Sequence, residues 1–234
     1  MATIDAISIP QKLTIKKTRK NRHFRNTNLQ KIITDIANEN NLTPVVEIEE
    51  NIKINSLTQR NETDAQFIQK LAKKYGYYQK ITPEKLFFIK QETLEKQPVI
   101  ATLNENELTA CNLEEADNVG YKKVIAYYFD HKKNKKLKYV YEDPNIKTGE
   151  ILKINKKFSS LEEAKRVAIA TLKNKNKTKM YGSISVEGNP LLVAGATIYL
   201  ELKDVFSGKY FIEKSIHTIG QQGYITTLEI RKIQ

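Results

Sequence analysis

The chain has 234 residues, a net charge of +12, a single cysteine and three histidines. A chain of this order buries roughly 70% of the surface its unfolded form exposes, so it folds without staples. The lone Cys111 excludes an internal disulfide framework and a thiolate zinc cluster. No apolar run reaches the ~20 residues of a membrane span, and MATIDAISIPQKL lacks the regions of a secretory signal, so the expectation is a soluble chain made in the cytosol, without stable membrane association.

The first elements follow a basic run. KKTRKNRHFR (Lys16–Arg25) carries six Lys or Arg in ten positions, and residues 1–21 read as an N-terminal strand or basic arm. In TNLQKIITDIANEN, Thr27 with Gln30 three residues on predicts a capping box. Leu29, Ile32, Ile33, Ile36 and Ala37 then fall on one helical face. TDAQFIQKLAKKYG repeats the device with Thr63 as cap and Gln66 three residues on. Asp64 suits the positive helix end, Phe67, Ile68, Leu71, Ala72 and Tyr75 form the stripe, and Gly76 supplies a left-handed stop. YYQKITPEKLFFIK predicts a hairpin turning at Thr82-Pro83-Glu84.

Composition and element type change near Gln97-Pro98. Residues 22–97 therefore read as a small helix-strand-helix-hairpin module, and 98–234 as a mainly antiparallel β-barrel or sandwich with one helix near 160–175, an α+β chain overall. In the second part, GYKKVIAYYFD and KKLKYVYED pair across the basic loop His131–Lys136. Ser160 with Glu163 starts a helix expected to bury Leu161, Ala164, Val167, Ala168 and Leu172. KMYGSISVEG, ATIYLEL, GKYFIEKSIHTI and GYITTLEIRK are strands between turns rich in Gly, Pro, Asn and Asp.

Strict alternation along the closing strands puts Tyr210, Ile212, Lys214, Ile216 and Thr218 on one face. Phe211, Glu213, Ser215, His217 and Ile219 take the other. Tyr224, Thr226, Leu228 and Ile230 share a face of the last strand, and Gly220 and Gly223 bracket the reversal. His217 is thus expected on the more polar side, beside Ser215 and Glu213.

A histidine sharing a strand face with a glutamate is a candidate proton-transfer pair. No nucleophile, metal ligand or phosphate-cradling loop accompanies it, and His23, His131 and His217 are far apart. Glu114-Glu115 point to opposite strand faces, and Glu162-Glu163 suit a helix start. No Walker, dinucleotide or GxSxG motif is present. The expectation is a non-enzyme with no catalytic residue, cofactor or metal.

Two further basic runs, HKKNKKLK with five cations in eight and KNKNKTK with four in seven, add the alternative of a basic nucleic-acid-binding module. Against it stand the bland reading of a solvated or partner-facing surface and the lack of an RNP1-like strand or GXXG loop.

TQRNETDAQFIQKLAKKYGYY followed by KLFFIK, and GNPLLVAGATIYLELKDVFSGKYFIEKSIHTIGQQGYITTLEI, together resemble the late control protein D family of contractile-tailed phages. That family is related to myophage baseplate hubs and to the hub region of type VI secretion spike proteins. Asp64, Phe67, Leu71, Ala72 and Gly76 carry the first match. Gly188, Pro190, Gly195, Gly208, Tyr210, His217, Gly223, Tyr224, Thr226, Leu228 and Glu229 carry the second.

The resemblance implies a homotrimeric hub with two tube-like barrels per subunit, joining the tail tube protein to a trimeric spike protein. DNA would be only transiting cargo, and the motif residues would be structural. It also implies synthesis in the bacterial cytoplasm and assembly into a virion baseplate or phage-like particle. Family members carry a longer stretch ahead of the TNLQKIITDIA helix, so most of a first barrel is expected to be missing here.

Overall fold

The computed structural model describes residues 14–233 except 49, 117–119, 131–133, 145, 159, 178–179 and 222. The tip of the loop at His131 and the opening of the N-terminal arm lie outside the described residues. The chain is a mixed α+β protein that divides into two compact units, one ending at Thr93 and the other running on from Leu94.

In the first unit a single turn, α1 (Thr14–Lys17), leads into β1 (Arg19–Asn28), which pairs antiparallel with β3 (Lys53–Thr63). The basic run is therefore largely a strand of a two-stranded ribbon, where the sequence pattern implied a strand or basic arm to residue 21 and a helix as the module's first element. α2 (Leu29–Glu39) follows directly. Its cap is Asn28, whose side chain accepts the Lys31 N–H at 2.8 Å, so the expected Thr27 cap is displaced by one residue. Thr27 lies inside β1, still paired with Ile54.

α3 (Asp64–Tyr75) begins as its sequence predicts. The Thr63 side chain accepts from Gln66 N–H, and the Gln66 side chain accepts from Thr63 N–H. Gly76 closes it at φ 79°, a conformation that costs glycine nothing. β2 (Thr43–Glu47), β4 (Tyr77–Ile81) and β5 (Lys85–Lys90) make a three-stranded sheet in the order β2-β5-β4, with β2 parallel to β5 and β4 antiparallel to it. The core joins Ile32, Ile33 and Ile36 of α2 to Phe67, Ile68 and Leu71 of α3 and Leu86 and Phe88 of β5.

The second unit opens with the end of α4 (Gln91–Glu95) and then β6 (Thr102–Asn104) and β7 (Leu108–Glu115). β8 (Tyr121–Asp130), β9 (Lys135–Glu142) and β10 (Glu150–Phe158) form a three-stranded sheet in the order β10-β8-β9. α5 (Leu161–Asn176) packs on it, led by Ser160, whose hydroxyl accepts the Glu163 N–H. Val124, Ala126, Ile154 and Phe158 are buried, as are Ala164, Val167, Ala168 and Leu172 of the helix. Leu161, expected inside, is 42% exposed, because it stands at the helix start.

β11 (Met180–Glu187), β12 (Thr197–Glu201), β13 (Gly208–Gly220) and β14 (Gly223–Lys232) join β6 and β7 in a six-stranded sheet ordered β6-β12-β13-β14-β11-β7. It curls into a half-barrel. Only the β6–β12 pair is parallel. Leu103, Ile184, Ile198, Leu200, Tyr210, Ile212, Leu228 and Ile230 fill its inner face.

One irregularity in this sheet reorders the closing hairpin. Ile212 pairs with Ile230, but Lys214 pairs with Glu229, so Glu213 is an extra residue on β13. Beyond this bulge the faces exchange, and Ser215 stands opposite Leu228 and His217 opposite Thr226. His217 is thus on the Ile212 side of the sheet. Strict alternation had put it on the other, and one inserted residue is enough to invert it.

Candidate functional site

Gly188, Pro190, Gly195, His217, Tyr224 and Thr226 of the second motif gather at one corner, where the loop 188–196 packs against the β13–β14 hairpin. Gly188 N–H donates to the Tyr224 carbonyl at 2.7 Å. A Cβ on Gly188 would stand 1.9 Å from the Tyr224 ring, so only glycine lets the ring lie there. Asn189 N–H donates to Thr226 Oγ1 at 2.9 Å, and the Asn189 side chain accepts from Leu191 N–H at 3.0 Å, turning the chain around Pro190. Gly195 N–H donates to the Ile212 carbonyl, and Ile212 N–H to that of Ala196.

His217 sits within this corner. Ser215 Oγ donates to the Leu192 carbonyl at 2.5 Å and lies 2.9 Å from His217 Nε2. His217 Nδ1 is 2.8 Å from the Tyr224 hydroxyl and 3.2 Å from Thr226 Oγ1. A serine hydroxyl carries one proton, and the Leu192 carbonyl takes it. Ser215 Oγ must then accept from Nε2–H, leaving Nδ1 to accept from Tyr224 or Thr226. An imidazole with its proton already on the serine side cannot deprotonate that serine, so the pair is not wired as nucleophile and base. The network instead ties the exposed end of the hairpin to the loop.

Flanking residues lock the same hairpin further in. The bulged Glu213 accepts from Arg231 Nε at 2.6 Å, Glu95 pairs with the other end of that guanidinium, and Arg231 stacks 4.8 Å above the Phe211 ring. Tyr210 is wholly buried and donates to the Phe206 carbonyl at 2.7 Å. Burial, with the Cys111 thiol nearby, pushes its phenol up to about 12. Gly208 takes φ 143° beside Lys232, and Gly223 takes φ 89° at the hairpin turn. Pro190 is exposed on the loop and Leu228 is buried.

The first motif organises a separate centre in the first unit. Phe67 and Leu71 are core residues, and Phe67 stacks on Phe24 at 5.6 Å. Asp64, expected to serve the helix end, is fully buried and does more. Lys20 Nζ reaches it at 2.8 Å, Arg22 pairs with its other oxygen, and Asn40 and Gln59 each donate at 3.0 Å. Burial alone pushes the carboxyl up. The hydrogen bonds from Lys20, Gln59 and Asn40 and the charge of Arg22 outweigh it and hold Asp64 below its ordinary value. Glu39 also takes Lys20 and Arg22.

Two cations of the first basic run are thereby spent inside the protein. Sequence reading placed Ser215 beside His217 but missed Asn40, Gln59 and Asn189, although an Asn just past a helix and an Asn before a proline are both ordinary turn signals. Among the described residues, no group of three or more His, Cys, Asp or Glu side chains is placed to hold a metal ion. No described helix is long and apolar enough to cross a membrane.

A family model of phage tail baseplate hub proteins matches residues 9–223. In three dimensions the chain is similar to the 43 kDa tail protein of prophage MuSo2 from Shewanella oneidensis, with TM-score 0.70 and 13% identity over 90% of this chain and 66% of that one. It is similar to a tail protein from Neisseria meningitidis, with TM-score 0.70 and 14% identity over 94% of this chain and 71% of that one. It is also similar to an E. coli component of the type VI secretion system, with TM-score 0.54 and 13% identity over 94% of this chain and 52% of that one. At these identities the likeness is one of fold. No curated protein matches the sequence.

Proposed function

This chain belongs to the phage tail baseplate hub family, and from that premise we propose that it is a structural hub subunit joining a tail tube protein to a trimeric spike protein. The observation that carries the reading is the family match over residues 9–223. The fold likeness to two tail proteins supports it. In this reading the chain is a homotrimer, forms part of the conduit, acts without catalysis and ends in a virion tail or phage-like particle, with DNA passing as cargo.

The edges of the second unit supply a physical reason for assembly. β7 ends the six-stranded sheet and pairs with β11 on one side. Its eight residues are exposed or half-buried, and a strand of that length with an open side is a template for pairing. Joining copies or partners along such edges removes the liability. This chain spans 66% of the length of the Shewanella protein and 52% of that of the E. coli one.

The test is co-expression with the tube and spike proteins of the same genome, followed by size-exclusion chromatography with light scattering. A trimeric complex containing all of them is expected. A chain that stays monomeric and elutes apart from both proteins overturns the reading.

A further inference from the structure

The three-stranded sheet β10-β8-β9 has two unlike faces. α5 covers the one bearing Val124 and Ala126. The other presents Tyr127 and Phe129 along the central strand, Lys136 and Lys138 along β9, and Lys153 on β10. Phe129 and the three lysines are exposed and Tyr127 is half-buried.

The register makes this a patterned surface. Tyr127 stands opposite Lys138, and Phe129 opposite Lys136. Lys136 Nζ lies 4.6 Å from the centre of the Tyr127 ring. Residues two apart on a strand are spaced by roughly 6.7 Å, so the two rings form a short row with Lys136 and Lys138 beside it on β9, while Lys153 on β10 stands opposite Ile125, one pair further along. Lys123, further along the same face, is offset by Glu142 at 3.5 Å, so the net charge concentrates at the aromatic end.

We propose that this face binds a single strand of nucleic acid, the rings of Tyr127 and Phe129 stacking bases while Lys136, Lys138 and Lys153 meet phosphates. A sheet with a helix behind it and aromatic side chains on its open face is a stacking platform, and flanking cations track the backbone. Exposed lysines alone suit any polyanion. The row of rings beside them favours a ligand with flat bases over an acidic polypeptide. This inference stands apart from the hub reading and survives or fails without it.

The experiment is fluorescence anisotropy of the full chain with a labelled oligo-deoxythymidine of about twenty nucleotides. With three phosphates neutralised, affinity should fall roughly 20-fold between about 50 and 200 mM salt. Lys136→Glu with Lys138→Glu should lower affinity at least about tenfold, and Tyr127→Ala about 5- to 100-fold, the latter with the salt dependence kept. Lys16→Glu with Lys17→Glu, the same charge change in the first unit, should leave binding within about twofold. Circular dichroism melts confirm that each variant is folded. Three results would overturn the proposal: equal loss from the Lys16 and Lys17 pair, an unchanged Tyr127→Ala variant, or poly-glutamate competing as well as the oligonucleotide.

Discussion

The α-carbon of Gly188 lies so close beneath the Tyr224 ring that a Cβ added there would meet Cγ at 1.9 Å. The same two residues share a backbone hydrogen bond of 2.7 Å. Gly188→Ala must therefore push the ring or the loop aside, an overpacking cost of about 1–3 kcal/mol. Urea unfolding should show that loss. The double variant Gly188→Ala/Tyr224→Ala should recover part of it, because the clash is gone. Additive losses would mean that the contact does not set the cost.

The hydroxyl of Ser215 and the ring of His217 belong to one network but are not equally important. Ser215 donates to the Leu192 carbonyl, whose own side chain is buried, whereas His217 is exposed and water can replace its partners. Ser215→Ala should cost about 1–2 kcal/mol, and His217→Ala about 1 kcal/mol or less. Denaturant melts of the two variants decide the order. Reversed values would make the histidine, not the serine, the tie between hairpin and loop.

These two residues also show where sequence reading stops. Capping pairs and tight turns are local, and Thr63 with Gln66, Gly76, the Thr82 hairpin turn and Ser160 all form as their sequences imply. The β8–β9 pairing is equally local in origin. Glu213 is different. Nothing in GKYFIEKSIHTI marks it as an insertion, because the bulge is defined by β14 and stabilised by Arg231. One unread residue moved His217 across the sheet. The role of β1 is obscured for a similar reason, since its Lys20 meets a carboxylate 44 positions away, a partner that the run itself does not signal.

Tyr210 gives a readout at the alkaline end. Its phenol is pushed up to about 12 by burial, above the ordinary value of 10.0. The neutral form is thus the one that the folded state favours. Its stabilising contribution is complete below pH 10 and is lost as pH rises from 10 toward 12. Tyr210→Phe should weaken the protein at neutral pH by about 1 kcal/mol, through the lost bond to the Phe206 carbonyl, and flatten the alkaline decline. Stability curves between pH 9 and 11.5 test this (about the working limits of the phenol equilibrium). An unchanged alkaline slope in the variant rejects the assignment.

Asp64 makes the opposite prediction at the acid end. It is fully buried between Lys20 and Arg22 with two amide donors, and its pKa is held below the ordinary 3.8. A depressed carboxylate contributes stability that is present above the unfolded value and is lost as pH falls through the folded one. Asp64→Asn removes the charge but keeps the shape, stranding two cations that retain Glu39 at their half-exposed ends. The cost at neutral pH should be about 2–3 kcal/mol, below that of a wholly buried pair because Lys20 and Arg22 remain partly in water. The variant should also lose less stability than the parent as pH falls below about 4, since one titrating group is gone. Parallel acid dependence in parent and variant, followed by thermal melts across that range, would mean that Asp64 does not hold the basic ribbon to the helices.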